Sequence, residues 1–220
     1  METARLFIAF SLPDEVQQHL ALIQKKLATM APSDAFRWIH PGNTHITLHF
    51  LGDTPRDRIP SVIDALRAAA IAIANQHAVT GAAGPKPTAV SDRRGIRCKL
   101  GGVGYFPHID NPRVLWLGLN EVTTRHSADL TAQGRAYFQS LEQELTARGL
   151  ESSSPRYAPH ITLGYRRRKA NRSETAAVTA AWQQYSSQGL IFSLQQIVLY
   201  ESVVAQRGRE HRRLHTQPLG

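Results

Sequence analysis

One tetrapeptide occurs twice in the chain, as His45-Ile46-Thr47-Leu48 and as His160-Ile161-Thr162-Leu163. Around the first copy, Thr44-His45-Ile46-Thr47-Leu48-His49-Phe50-Leu51 alternates with a period of two. Ile46, Leu48 and Phe50 fall on one face and His45, Thr47 and His49 on the other, which is the pattern of a half-buried strand. Gly52-Asp53 is expected to stop it. The second copy lies in Pro159-His160-Ile161-Thr162-Leu163-Gly164-Tyr165, also a strand.

Working outward from both copies, the same order of elements appears twice. Arg5-Leu6-Phe7-Ile8-Ala9-Phe10 reads as a buried strand, and Pro13 opens a helix carrying Val16, Leu20, Ile23 and Leu27. After the first His-x-Thr-Leu strand, residues 56–74 make a helix with Ile59, Val62, Ile63, Leu66 and Ala69 or Ala70 at helical spacing. Arg113-Val114-Leu115-Trp116-Leu117-Gly118-Leu119 is again a strand, and residues 127–148 again a helix, with Leu130, Tyr137, Leu141 and Leu145. The second His-x-Thr-Leu strand follows, then a helix over 173–185 and an apolar run from Ile191 to Tyr200. The opening strands start at 5 and 113, an offset of 108, and the tetrapeptides at 45 and 160, an offset of 115. Near-constant spacing of four elements in order identifies a duplicated β-α-β-α unit. The chain is expected to be one domain of two pseudo-symmetric lobes, 1–106 and 107–220, with strand exchange between lobes left open. Between them, Gly81, Gly84, Pro85 and Pro87 suggest tight turns joining short strands around Ala89 and over 96–100. Gly101-Gly102-Val103-Gly104 does not begin a helix, so it is read as a loop or bulge and not as a phosphate cradle.

Composition narrows the chemistry. Hydrophobic residues at 42% and charged residues at 20% are those of a chain that folds. The net charge of +9, from 26 Lys+Arg against 17 Asp+Glu, favours a polyanionic partner, with nucleic acid first. Cys98 is the only cysteine, which excludes an internal disulfide and a cysteine-rich zinc cluster and fits a reducing cytoplasm. The run from Leu6 to Phe10 is too short for a signal-peptide core, and nothing approaches membrane-spanning length, so a cytoplasmic location is expected.

On each His-x-Thr strand the imidazole and the hydroxyl share a face, about 6–7 Å apart along the chain. If the halves pack with two-fold symmetry, two imidazoles and two hydroxyls converge, an arrangement that fits a phosphate. Displacement at phosphorus needs a base for the attacking oxygen and an acid for the leaving one, and histidine serves as either near neutral pH. Thr47 and Thr162 would hold the non-bridging oxygens, and no metal is required. A lone strand histidine is usually structural; the repetition overturns that reading for His45 and His160. His49 shares their face, lacks a nearby carboxylate to make a metal site, and is expected at the cleft rim or in solvent. Arg166, Arg167, Arg168, Lys169 and Arg172 follow the second motif and either guide an RNA backbone or form a solvated loop. Arg207, Arg209, Arg212 and Arg213, with His211 and His215, read as an edge strand with a charged face. Trp38 is assigned to the core, and Tyr157 to the core or to a base-stacking platform.

These residues resemble the two-histidine (2H) phosphoesterases, and within them the RNA 2′,3′-cyclic phosphodiesterases also described as 2′-5′ RNA ligases. The likeness runs from Arg5-Leu6-Phe7-Ile8-Ala9-Phe10-Ser11-Leu12-Pro13 and Arg37-Trp38-Ile39 through both His-x-Thr-Leu strands to Leu199-Tyr200-Glu201-Ser202 and Pro218-Leu219. It implies a bilobal α+β fold, with mainly antiparallel sheets lining a central cleft and helices outside. It also implies hydrolysis of a 2′,3′-cyclic phosphate to the 2′-phosphate, with some similar proteins joining RNA ends through a 2′-5′ bond without ATP. By that resemblance His160 is the general base, His45 the general acid, and Thr47 and Thr162 phosphate donors; no cofactor is needed, and a monomer without an obligatory protein partner is expected. The family's second motif has Arg two residues after Leu where this chain has Tyr165, followed by Arg166; the first has Lys where this chain has His49. Tyr165, Arg166 and His49 are accordingly candidate substrate contacts. The competing readings are a 2H enzyme for another cyclic phosphate or small nucleotide, a non-catalytic RNA-binding module, and a metal-dependent hydrolase.

Overall fold

β1 (Thr3–Ser11) is buried on both faces from Leu6 to Ser11, as a strand must be when it has neighbours on each side and packing above and below. In a computed structural model, which describes residues 2–31, 34–79, 95–120, 130–154, 156–185, 189–205 and 208–219, those neighbours are β3 (His45–Pro55) and β8 (Gln196–Ala205). The remaining strands are β2 (Phe36–Trp38), β4 (Ile96–Phe106), β5 (Val114–Asn120), β6 (His160–Arg166), β7 (Ile191–Leu194) and β9 (Gly208–Pro218). They form one curled, wholly antiparallel sheet in the order β7-β4-β5-β6-β3-β1-β8-β9, with β2 alongside β6. That order is a palindrome about the β6/β3 seam: β5 answers β1, β4 answers β8 and β7 answers β9. The two halves share a single sheet, and the chain's last two strands return to lie beside its first.

Four helices, α1 (Asp14–Met30), α2 (Ile59–Val79), α3 (Leu130–Ala147) and α4 (Arg172–Gln183), cover one face. Val16, Leu20, Ile23 and Leu27 of α1 and Val178, Ala181 and Trp182 of α4 enter the main core with Ile8, Phe10, Ile46, Leu117 and Leu163 from the sheet. The other face is concave and holds its own small apolar cluster, Phe7, Ala9, Val198 and Tyr200.

Several boundaries differ from the sequence reading for physical reasons. β3 does not stop at Gly52-Asp53 but runs to Pro55. Gly52 adopts φ +67° at a bulge, which bends the strand without ending its pairing with β1. The helix expected over 56–74 begins as a 3-10 turn at Arg56–Arg58 before α2 proper. The apolar run from Ile191 to Tyr200 is two strands on opposite sides of the sheet, β7 beside β4 and β8 beside β1. Gly101 and Gly102 do form a bulge in β4. Trp38 packs against the core, and Tyr157 is buried in it. Arg209, His211, Arg212, Arg213 and His215 lie on β9, an edge strand. Gly81, Gly84, Pro85, Pro87, the strand around Ala89, the 127–129 start of the third helix, the Leu130 side chain and Arg207 lie outside the described residues.

Candidate active site

β3 and β6 meet at the bridged pair Ile46↔Ile161, and both isoleucines are fully buried on the helix side. Antiparallel register then sets His45 beside Thr162 and Thr47 beside His160, all four on the concave face. The two histidines are diagonal neighbours, a relation that spaces residues about 7–8 Å apart and leaves room for one phosphoryl group between their side chains. Each ring is anchored in the same way: His45 Nδ1 lies 2.8 Å from the Asn43 carbonyl oxygen, and His160 Nδ1 lies 2.8 Å from that of Ala158. A carbonyl can only accept, so Nδ1 carries the proton and Nε2 is left as the nitrogen available for proton transfer.

The surroundings of the two rings differ. His45 packs against Phe7 at 4.8 Å, His211 at 5.2 Å and Tyr200 at 6.2 Å between ring centroids. His160 has Phe106 at 5.1 Å and Trp116 at 5.9 Å. Burial, reinforced by the charges of His211 and His160 and opposed by the Asn43 carbonyl, lowers the pKa of His45 from 6.5 to about 4. In the free protein His45 is therefore neutral at pH 7, the form of a base. An anionic phosphate beside it acts in the opposite direction by favouring the imidazolium.

A bulge at Leu48 opposite β1 is matched by a bulge at Leu163 opposite β5. Each reverses the alternation beyond it. His49 consequently leaves the face of His45 and Thr47: it is fully buried, with Nδ1 2.8 Å from Ser152 Oγ, Nε2 2.9 Å from the Phe138 carbonyl, and its ring stacked on Phe138 at 4.2 Å. The expectation of His49 at the cleft rim, contacting substrate, is corrected by this placement. Phe50 takes the concave face instead, 49% exposed and 6.1 Å from Phe7. In the second half Tyr165 occupies the matching position, 41% exposed, with the Arg37 guanidinium 5.7 Å above its ring. Arg166, one residue further, turns to the opposite face, where Nη1 donates to Asn111 Oδ1 at 2.7 Å. It lines a separate cleft of about 590 Å³ with Asn111, Asn171 and Arg172, so the reading of Arg166 as a candidate substrate contact is also corrected. Arg167 pairs with Asp34 at 2.9 Å.

Phe7, Phe50, Phe106, Trp116, Tyr200 and His211 were not singled out from the sequence as site residues. His211 offered one readable signal, since Arg209, His211 and Arg213 alternate along an edge strand. Its nearness to His45 depends on sheet curl, which a linear pattern does not carry. Among the described residues no cluster of three or more His, Cys, Asp or Glu side chains is placed to hold a metal ion, and Cys98 is a free, buried thiol.

Comparison with known proteins bears on the family and the fold. The family described as LigT like Phosphoesterase matches residues 10–83. The RNA 2′,3′-cyclic phosphodiesterase of Thermus thermophilus is 30% identical over 179 residues, covering 81% of this chain and 76% of that protein. The chain belongs to the LigT-like phosphoesterase family. Another member, the RNA 2′,3′-cyclic phosphodiesterase of Geobacillus stearothermophilus, is 26% identical over 203 residues, and this chain spans 53% of its length. Among solved structures, E. coli LigT in its apo form superposes with a TM-score of 0.60 at 20% identity, covering 99% of this chain and 98% of that one. The protein TT0787 of Thermus thermophilus gives 0.61 at 22% identity, covering 98% and 97%. These two share the LigT-like fold. Membership makes this chain a phosphoesterase, an enzyme of the hydrolase class.

Proposed function

We propose that the chain hydrolyses 2′,3′-cyclic phosphate ends of RNA to 2′-phosphates, using His45 and His160 as an acid/base pair and no metal. The observation that carries this reading is the pair of imidazoles, each held through Nδ1 by the carbonyl two residues before it, at diagonal positions on adjacent strands, a spacing that suits one phosphoryl group between them. The names of the relatives support the choice of cyclic phosphate and of RNA.

In the reaction one neutral imidazole takes a proton from water as the water oxygen attacks phosphorus in line with the P–O3′ bond. That bond breaks, and the opposite imidazolium gives its proton to O3′, leaving a 2′-phosphate and a free 3′-hydroxyl. Thr47 and Thr162 donate to the non-bridging oxygens, whose charge grows in the transition state. We assign the base to His160 and the acid to His45, which takes up its proton when the anionic substrate enters. Replacing water by the 5′-hydroxyl of a second strand in the same forward steps joins RNA ends through a 2′-5′ bond, and the reverse of those steps cleaves it. Phe50 and Tyr165 flank the gap as surfaces for the terminal base. Both histidines come from one chain, so a monomer suffices, and both halves are needed to make one catalytic domain.

The test is incubation with a nucleoside 2′,3′-cyclic phosphate in the presence of a metal chelator, followed by identification of the phosphate isomer. The 2′-phosphate is expected. Formation of the 3′-phosphate would reverse the assigned leaving group, and loss of turnover in chelator would remove the two-imidazole mechanism.

A further inference from the structure

β9 lies three strands from β3 in the sheet order, which in a flat sheet separates them by roughly 14 Å. Yet the His211 ring on β9 lies 5.2 Å from that of His45 and 4.8 Å from that of Phe7. The sheet therefore curls until its edge stands over the site. Asn43 ties the closure, accepting from His45 through its carbonyl and donating from Nδ2 to the Arg209 carbonyl at 3.2 Å.

The pairing of β9 with β8 sets Arg209, His211 and Arg213 on the same concave face. His211 is opposite Ser202 and Arg213 opposite Tyr200. Arg213 lies over the Tyr200 ring at 5.9 Å, and Arg209 Nη1 donates to Ser202 Oγ at 3.3 Å. Among the described residues, ion pairs engage Arg5, Arg56, Arg67, Arg148 and Arg167, and none engages these three. Alternate residues of a strand advance about 6.8 Å, so the three side chains form a ladder with an arginine on either side of His211. β7, the counterpart of β9 across the palindrome, is four residues long and carries no such ladder, which makes the cleft basic on the His45 side.

We propose that Arg209, His211 and Arg213 form a second phosphate site, which takes the phosphodiester linking the terminal nucleotide to the rest of an RNA strand. The substrate is thus a strand end and not a mononucleotide. This rests on the proposed cyclic-phosphate hydrolysis at His45 and His160 and adds the direction in which the strand leaves the site.

The experiment compares a nucleoside 2′,3′-cyclic phosphate lacking a 5′-phosphate with a single-stranded oligoribonucleotide ending in a 2′,3′-cyclic phosphate, in the wild type and in the double variant Arg209→Gln/Arg213→Gln. Circular dichroism checks the fold. The wild type is expected to prefer the oligonucleotide. The variant is expected to raise the oligonucleotide KM at least ten times more than the nucleoside KM. Loss of the one phosphodiester contact should also flatten the dependence of log kcat/KM on log salt by about 0.7 for the oligonucleotide. Equal losses on both substrates, or no loss on either, would overturn the second site. Wild-type hydrolysis of the nucleoside with no preference for the oligonucleotide would remove this inference and leave the hydrolytic reading standing, whereas hydrolysis of neither would end both.

Discussion

His49 stands four residues after His45 and does different work. Its ring nitrogens are satisfied by Ser152 and Phe138 in the core, so His49→Ala should cost about 2–3 kcal/mol in denaturant unfolding while kcat/KM changes only a few-fold. His45→Ala and His160→Ala should show the reverse, stability nearly kept and kcat lowered by roughly 10²-fold or more in steady-state assays. The lowered pKa of His45 adds a pH signature. An imidazole that is protonated at 6.5 when unfolded and at about 4 when folded gives stability that is complete above 6.5 and lost as pH falls toward 4. Imidazole NMR titration should find His45 near that lower value in the free protein and shifted upward with inorganic phosphate bound; no upward movement would shift the acid role to His160. The four residues His45, Thr47, His160 and Thr162 could be read because the repeat and the strand period place them together. The fate of His49 could not, because a period-of-two reading has no sign of the extra residue at Leu48.

At the scale of elements, β4 and β5 illustrate what local pattern encodes. A Cβ at Gly104 would lie 2.1 Å from Trp116 Cζ2, so this glycine is required by the indole of the neighbouring strand, which in turn touches the His160 ring. Gly104→Ala should lower unfolding free energy by about 1–3 kcal/mol and reduce turnover by displacing Trp116, measured by chemical denaturation and by kcat on a cyclic nucleotide. The glycine run reads as a loop or bulge because it does not begin a helix. That reading does not name the indole that makes Gly104 necessary. The split of 191–200 into β7 and β8 has the same origin: apolar runs announce strands, while the partner of each strand is decided by packing far along the chain. The helices were legible almost whole, since amphipathic spacing is local.

For the molecule as a whole, the repeated order of elements was legible and the antiparallel α+β plan came with the family resemblance, but the single continuous sheet and its curl were not. Hydrolysis of 2′,3′-cyclic nucleotide is expected to persist in excess chelator, read by product analysis, because the proposed mechanism gives both proton transfers to side chains. The joint between the halves has a further consequence. β3 and β6 are bridged at one pair, while behind them α1 packs on α4 and α2 on α3 across the same line. On the proposed mechanism, the opening between the two imidazoles is then set as the jaws of a caliper are set, at a pivot on the far side of the plate, by helix contacts remote from the bound nucleotide.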